Sequence, residues 1–121
     1  MLILLSLLVV SMAHGQEEVK RKYFGTYSGI LPSYNLKIDR SVMNIEKEKV
    51  EVELFSNYLN IRIGSDITKG HYQISEETKE YYILVVDMDE NVVDEQLILY
   101  KSGKKMERKG VYPQPDCLLF R

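Results

Sequence analysis

The side chains with chemistry to offer are few and far apart. Beyond His14 the chain has one histidine, His71, and its single cysteine is Cys117. Nucleophilic catalysis needs a nucleophile beside a base and a third group that orients the base. Here the thiol lies past the proline-bounded segment Pro113-Gln114-Pro115, and the imidazole stands beside Gly70 in a polar stretch, so a Cys–His pair is not expected. Zinc asks for Cys or His ligands in closely spaced pairs, and the sequence has none. Asp87-Met88-Asp89-Glu90-Asn91 places oxygen donors at alternate positions, as in the first half of a calcium loop. Yet Val92 stands where the turn glycine belongs and Ile98 where the closing glutamate belongs, so a solvated acidic connection is the expectation. Carboxylates that trade protons need one member in a dry pocket, whereas Glu51 and Glu53 alternate with Val50, Val52 and Leu54 and should face water. No Gly-rich loop leads into a helix, so a phosphate cradle is missing. The chain reads as a non-enzyme with no cofactor and no metal ligand set.

The ends of the chain say more. Met1 to Val10 is apolar except for Ser6, and Ala13-His14-Gly15 offers small residues for cleavage. That is the pattern of a secretory signal, although no Lys or Arg precedes the apolar run. The run is too short for a bilayer, whose hydrocarbon needs roughly 20 apolar residues. Residues 1–15 are therefore read as a signal peptide, 16–110 as one barrel domain and 111–121 as a C-terminal tail, in a secreted or periplasmic protein. Every Asp, Glu, Lys and Arg lies after the apolar run, so the net charge of −2 belongs to the folded part. Nucleic acid would call for a basic face and is not an expected partner. With one cysteine no internal disulfide can form; Cys117 is either a small buried hydrophobe or the bridge of a dimer.

The chain between these ends alternates with period two almost throughout. Val50, Val52 and Leu54 alternate with glutamates, and Leu59, Ile61 and Ile63 with Asn60 and Arg62, the mark of half-buried antiparallel strands. Tyr34, Leu36 and Ile38 alternate with Asn35, Lys37 and Asp39. Ser102-Gly103 joins two strand-like runs as a hairpin. Only Asp87 to Leu99 offers a helical alternative. The expectation is an all-β antiparallel up-and-down barrel or sandwich of about eight strands. "YYILVV" (Tyr81 to Val86) and "LILY" (Leu97 to Tyr100) are apolar on both faces, so something should cover their outer side. The apolar tail "CLLF" is the first choice, ahead of a second subunit or a partner.

The first strand carries Gly25 and Gly29 on one face, with Tyr27 between them. Glycine weakens a strand unless the chain bends there or another segment comes close. The expectation is a coiled strand, with the rings of Tyr23 and Tyr27 filling the space the glycines leave; cleared room for a ligand is the alternative.

"GTYSGILP" (Gly25 to Pro32) resembles the G-x-Y-x-G-x-L-P opening of the N-terminal domain of NlpE-like envelope copper-stress lipoproteins. That resemblance implies a small lipocalin-like (calycin-like) barrel in the cell envelope. The family's C-x-x-C pair after the proline is replaced by Ser33-Tyr34-Asn35, and its lipid-anchoring Cys is missing. Copper binding, redox sensing and lipid anchoring are therefore not implied. The whole chain also resembles small uncharacterised secreted proteins of the Bacteroidota type, which brings no function with it.

A barrel of about eight strands can hold one small ligand or be filled by its own side chains. The inward-facing, ligand-binding candidates are Tyr27, Leu36, Leu54, Ile61, Ile63, Tyr72 and Ile83, with Val52 beside them. Nearly all are bulky, which favours a filled interior. The leading expectation is a non-catalytic module that binds a protein partner; the alternative is a lipocalin-like carrier of a small apolar ligand.

Overall fold

The computed structural model describes residues 18–88 and 94–121. The signal segment expected at 1–15 and most of the calcium-like run at 87–91 lie outside the described residues. A 3-10 turn at Arg21–Tyr23 leads into ten strands: β1 (Gly25–Leu31), β2 (Tyr34–Ile38), β3 (Ser41–Ile45), β4 (Glu48–Leu54), β5 (Tyr58–Ile63), β6 (Asp66–Glu77), β7 (Tyr81–Met88), β8 (Glu95–Tyr100), β9 (Lys105–Lys109) and β10 (Cys117–Phe120). Eight of them close into an antiparallel barrel in the order β1-β10-β9-β8-β7-β6-β5-β4, with β4 returning to β1. β2 and β3 form a separate two-stranded hairpin. Of the sequence alternatives, the closed barrel is the architecture, and where a short helix was the alternative, over 87–99, residues 87–88 and 95–99 are strand.

The period-two alternation becomes the inside and outside of the barrel. Val50, Val52 and Leu54 of β4 point inward and are at most 1% exposed, while Glu53 between them is exposed. Leu59 and Ile61 of β5 face them across the ladder, with Leu54 opposite Leu59 and Val52 opposite Ile61. Side chains of this size each contribute about 1.5–3 kcal/mol when removed from water. β6 is the longest strand, and its register shifts between Ile74 and Glu76. Such a bulge bends a strand and raises its twist, which curls a sheet toward closure.

Closure itself depends on the first strand. Gly29 lies opposite Leu119 of β10. A Cβ on Gly29 would overlap the carbonyl oxygen of Leu118 and stand 2.8 Å from Cδ2 of Leu119. The glycine therefore lets β10 backbone approach, and neither a tyrosine ring nor a ligand takes the space. Gly25, at φ +139°, abuts the Arg121 side chain.

Four sequence expectations are corrected by this arrangement. Residues 111–121 are not a tail outside the barrel: regular structure resumes after Pro115, and Cys117–Phe120 is a barrel strand between β1 and β9. Its own alternation supplies the reason, since Cys117 and Leu119 are buried and Leu118 and Phe120 are exposed. The segment therefore does not cover "YYILVV" and "LILY". Their outer faces are shielded locally. Tyr81 and Tyr100 meet edge-to-face at 6.4 Å, Ile83 sits opposite Ile98, and the Lys105 ammonium lies 4.5 Å from the Tyr100 ring centre. Ile83, expected inside, is thus on the outer face of β7, because Tyr82, Leu84 and Val86 take the inner positions. Leu36, also expected inside, belongs to the β2–β3 hairpin and is half-buried.

Candidate functional site

One end of the barrel is filled. Tyr27 donates its hydroxyl to the Tyr23 carbonyl at 2.7 Å, and Tyr23 meets Tyr82 edge-to-face at 5.7 Å. The Tyr72 hydroxyl lies 2.6 Å from the carbonyl oxygens of Phe55 and Ser56. Burial pushes the Tyr72 phenol up to about 12. Tyr27 is also raised by burial, against the pull of Arg121. Arg121 closes this end over the Tyr27 ring, its Nη1 donating to the carbonyls of Lys22 and Phe24 at 2.8 Å each. Tyr27, Val52, Leu54 and Tyr72 from the sequence list all belong to this packed body.

A recess of about 580 Å³ lies elsewhere, between the barrel strands, the β2–β3 hairpin and the segment 111–114. The hairpin contributes Tyr34 and Leu36, and Tyr34 also packs on the core, which ties the hairpin to the barrel. A two-stranded hairpin is marginal in water by itself, so that contact matters for holding Leu36 in place. β5 contributes Ile61 and Ile63, β6 Asp66 and Thr68, and β7 Met88. Val111 and Tyr112 form an open rim, Tyr112 being 91% exposed. The structure therefore brings together three of the sequence candidates, Leu36, Ile61 and Ile63, and leaves the others apart from them.

The recess also has a charged wall that sequence reading missed. Arg108 of β9 donates from Nε to Oε1 of Glu95 of β8 at 2.8 Å, and the two residues are 3% and 6% exposed. Arg108 Nη1 is buried without a hydrogen-bond partner among the described residues. The signal was present in the alternation. Glu95 shares the phase of Leu97 and Leu99, and Arg108 shares that of Met106, so both charges had to point inward. Cys117 lies opposite Arg108 in the ladder. Burial raises its thiol above the ordinary range, and the Arg108 charge offsets this only in part.

Among the described residues that line this recess there is no histidine. His71 is exposed on β6 and borders a separate, polar recess with Asp87 and Asp94. Among the described residues no group of three or more His, Cys, Asp or Glu side chains could hold a metal ion, and no helix is long and apolar enough to cross a membrane. What the larger recess can do is take up an apolar body and offer it hydrogen-bonding groups at the wall, the ordinary composition of a small-molecule site. No protein-family model, no curated protein and no solved structure matches the chain.

Proposed function

We propose that the protein is a non-catalytic binding barrel that takes a small, largely apolar ligand into the recess between the barrel, the β2–β3 hairpin and the 111–114 segment. The observation that carries this reading is the recess itself. At about 580 Å³ it falls within the range of small-molecule sites in a barrel whose other end is packed with tyrosines. Leu36, Ile61, Ile63 and Met88 supply its apolar surface. The reading includes an exported location, supported by the apolar run Met1 to Val10 and the small residues Ala13 and Gly15. The likeness of Gly25 to Pro32 to an envelope-lipoprotein barrel points the same way.

The test is a fluorescence titration with N-phenyl-1-naphthylamine, a neutral apolar dye. The wild-type chain should bind it with saturation, and Ile63→Trp, which fills the recess from its wall, should abolish binding while unfolding at the same urea concentration. Saturable binding that survives Ile63→Trp would remove the recess from consideration.

A second reading is favoured by one further observation. Ile30, Leu118 and Phe120 are about half exposed on the outside of the β1–β10 seam. In that reading two copies associate through this strip. Leu118→Glu with Phe120→Glu should then convert a sedimenting dimer to monomer without changing dye binding, and a wild-type monomer at all concentrations rules it out.

A further inference from the structure

The wall of the recess specifies what kind of polar group its ligand carries. Arg108 is 3% exposed, and its Nη1 has no hydrogen-bond partner among the described residues. Nη1 is itself sealed from the recess at rest, although other atoms of Arg108 line it. An unpaired buried donor of this kind is costly, so an acceptor in the recess gains by satisfying it once the guanidinium turns toward it. The charge of Arg108 is another matter. Glu95 already neutralises it at 2.8 Å, in a setting where a buried ion pair is stable only as a pair. Asp66 adds a second carboxylate to the lining, and Arg108 is the one cation among the described lining residues. The formal charge of the wall is therefore −1. A ligand carboxylate would bring a third negative charge to a single guanidinium, and it would lose its own hydration to do so. A neutral oxygen gains the same hydrogen bond without that penalty.

We propose that the recess selects an uncharged, acceptor-bearing apolar molecule, such as an acyl ester or amide, whose carbonyl oxygen accepts a hydrogen bond from Arg108 Nη1. The inference rests on the binding reading above and names the ligand class for it. Glu95 sets the selectivity by holding the guanidinium neutralised, and Arg108 supplies the recognition. The apolar chain of such a molecule lies along Ile61, Ile63 and Leu36.

The experiment uses the wild-type chain with N-phenyl-1-naphthylamine bound, displaced in parallel by methyl octanoate and by octanoate near neutral pH. The ester should displace the dye at a concentration lower than the acid by about tenfold or more. In the same samples, nitrogen-detected spectra of the Arg108 guanidinium should show its Nη1 protons shifting when the ester is added. Glu95→Gln keeps an oxygen that can accept from Nε but removes the negative charge. It should move the preference toward the acid by about tenfold or more. Equal affinities, or tighter binding of the acid to the wild type, overturn the neutral-ligand inference while leaving the recess a binding site. An ester that displaces the dye without moving the Arg108 resonances overturns the role of Nη1. Failure of the dye and of both octanoyl probes to bind overturns the binding reading as well. The wild-type comparison decides the matter even where Glu95→Gln folds poorly.

Discussion

Gly29→Ala is the substitution with the largest expected effect for the smallest change in volume. The added Cβ would overlap the Leu118 carbonyl oxygen and press on Cδ2 of Leu119 at 2.8 Å. The carbonyl is backbone, so it cannot rotate away as a side-chain tip would. β10 must instead withdraw from β1, and a shift of several tenths of an ångström or more takes ladder bonds of about 2.9 Å out of range. Overpacking of this kind costs about 1–3 kcal/mol, and each ladder bond lost adds about 1 kcal/mol. Alanine returns only about 0.4–1 kcal/mol by narrowing the unfolded ensemble. The seam has little in reserve, since its paired register is Ser28 with Phe120 and Gly29 with Leu119. A net loss of about 3 kcal/mol is expected, with a fall in Tm of more than about 10 °C for a domain of this size. The assay is urea unfolding followed by far-ultraviolet circular dichroism. Gly103→Ala is the matched comparison. Its φ is +82° but its Cβ would meet nothing within 4 Å, so it should cost only the backbone strain, about 1–2 kcal/mol. A loss below about 1 kcal/mol for Gly29→Ala would refute the argument that β10 cannot yield.

Three further outcomes follow from the buried polar groups. Arg108→Met leaves Glu95 as a lone buried carboxylate and should cost about 3–5 kcal/mol, whereas Arg108→Met with Glu95→Leu should return to within about 1–2 kcal/mol of wild type; urea unfolding of both variants checks the cycle. Tyr72, held neutral by burial up to about 12, binds its proton more tightly folded than unfolded. Its contribution is therefore complete below about pH 10 and is lost as pH rises through about 12, and Tyr72→Phe should flatten the alkaline arm of the stability curve. Cys117 is 5% exposed with its thiol raised by burial, so a disulfide reagent should modify it only as fast as β10 opens, with the rate rising as urea is added. Immediate modification of the native chain would place the sulfur on the surface.

How far the sequence foretold this molecule differs from strand to strand. β4 and β5 were legible because each has one apolar face and one polar face, which fixes the phase of the pleat. β7 was not, because "YYILVV" is apolar on both faces and either phase satisfies the pattern. The phase came from outside the strand. Tyr81 and Tyr100 need water-side partners, which Glu76 and Glu107 provide at 3.1 Å, so these rings face outward and Ile83 goes with them. Leu36 alternates as a barrel strand would, but alternation does not name a partner, and among the described residues β2 pairs with β3 alone. The last strand was hidden by its brevity and by the two prolines before it. Of the recess, the apolar contributors were visible and the charged pair was not. A glutamate and an arginine are not singled out by residue type as core positions, although the phase of Glu95 with Leu97 and of Arg108 with Met106 places them inside.

The seam between β1 and β10 has a consequence for how the barrel is assembled in time. Every other junction joins strands that are neighbours in the barrel and near one another along the chain, apart from the step from β1 to β4 over the hairpin. The seam alone joins segments separated by most of the chain, as does the bond from Arg121 to Lys22, 99 positions away. Loop entropy must be met before that contact returns anything, so it should form last and limit the rate. A closed barrel keeps one long-range junction wherever its chain is cut. A permutant that links residue 121 to residue 18 and opens the chain between Ser102 and Gly103 would make the β1–β10 seam local and hand the long-range closure to β8 and β9, which share four register pairs against the seam's two. The slow closing step should therefore pass from the β1–β10 seam to the β8–β9 junction, which would mark chain connectivity as what decides which strands meet last.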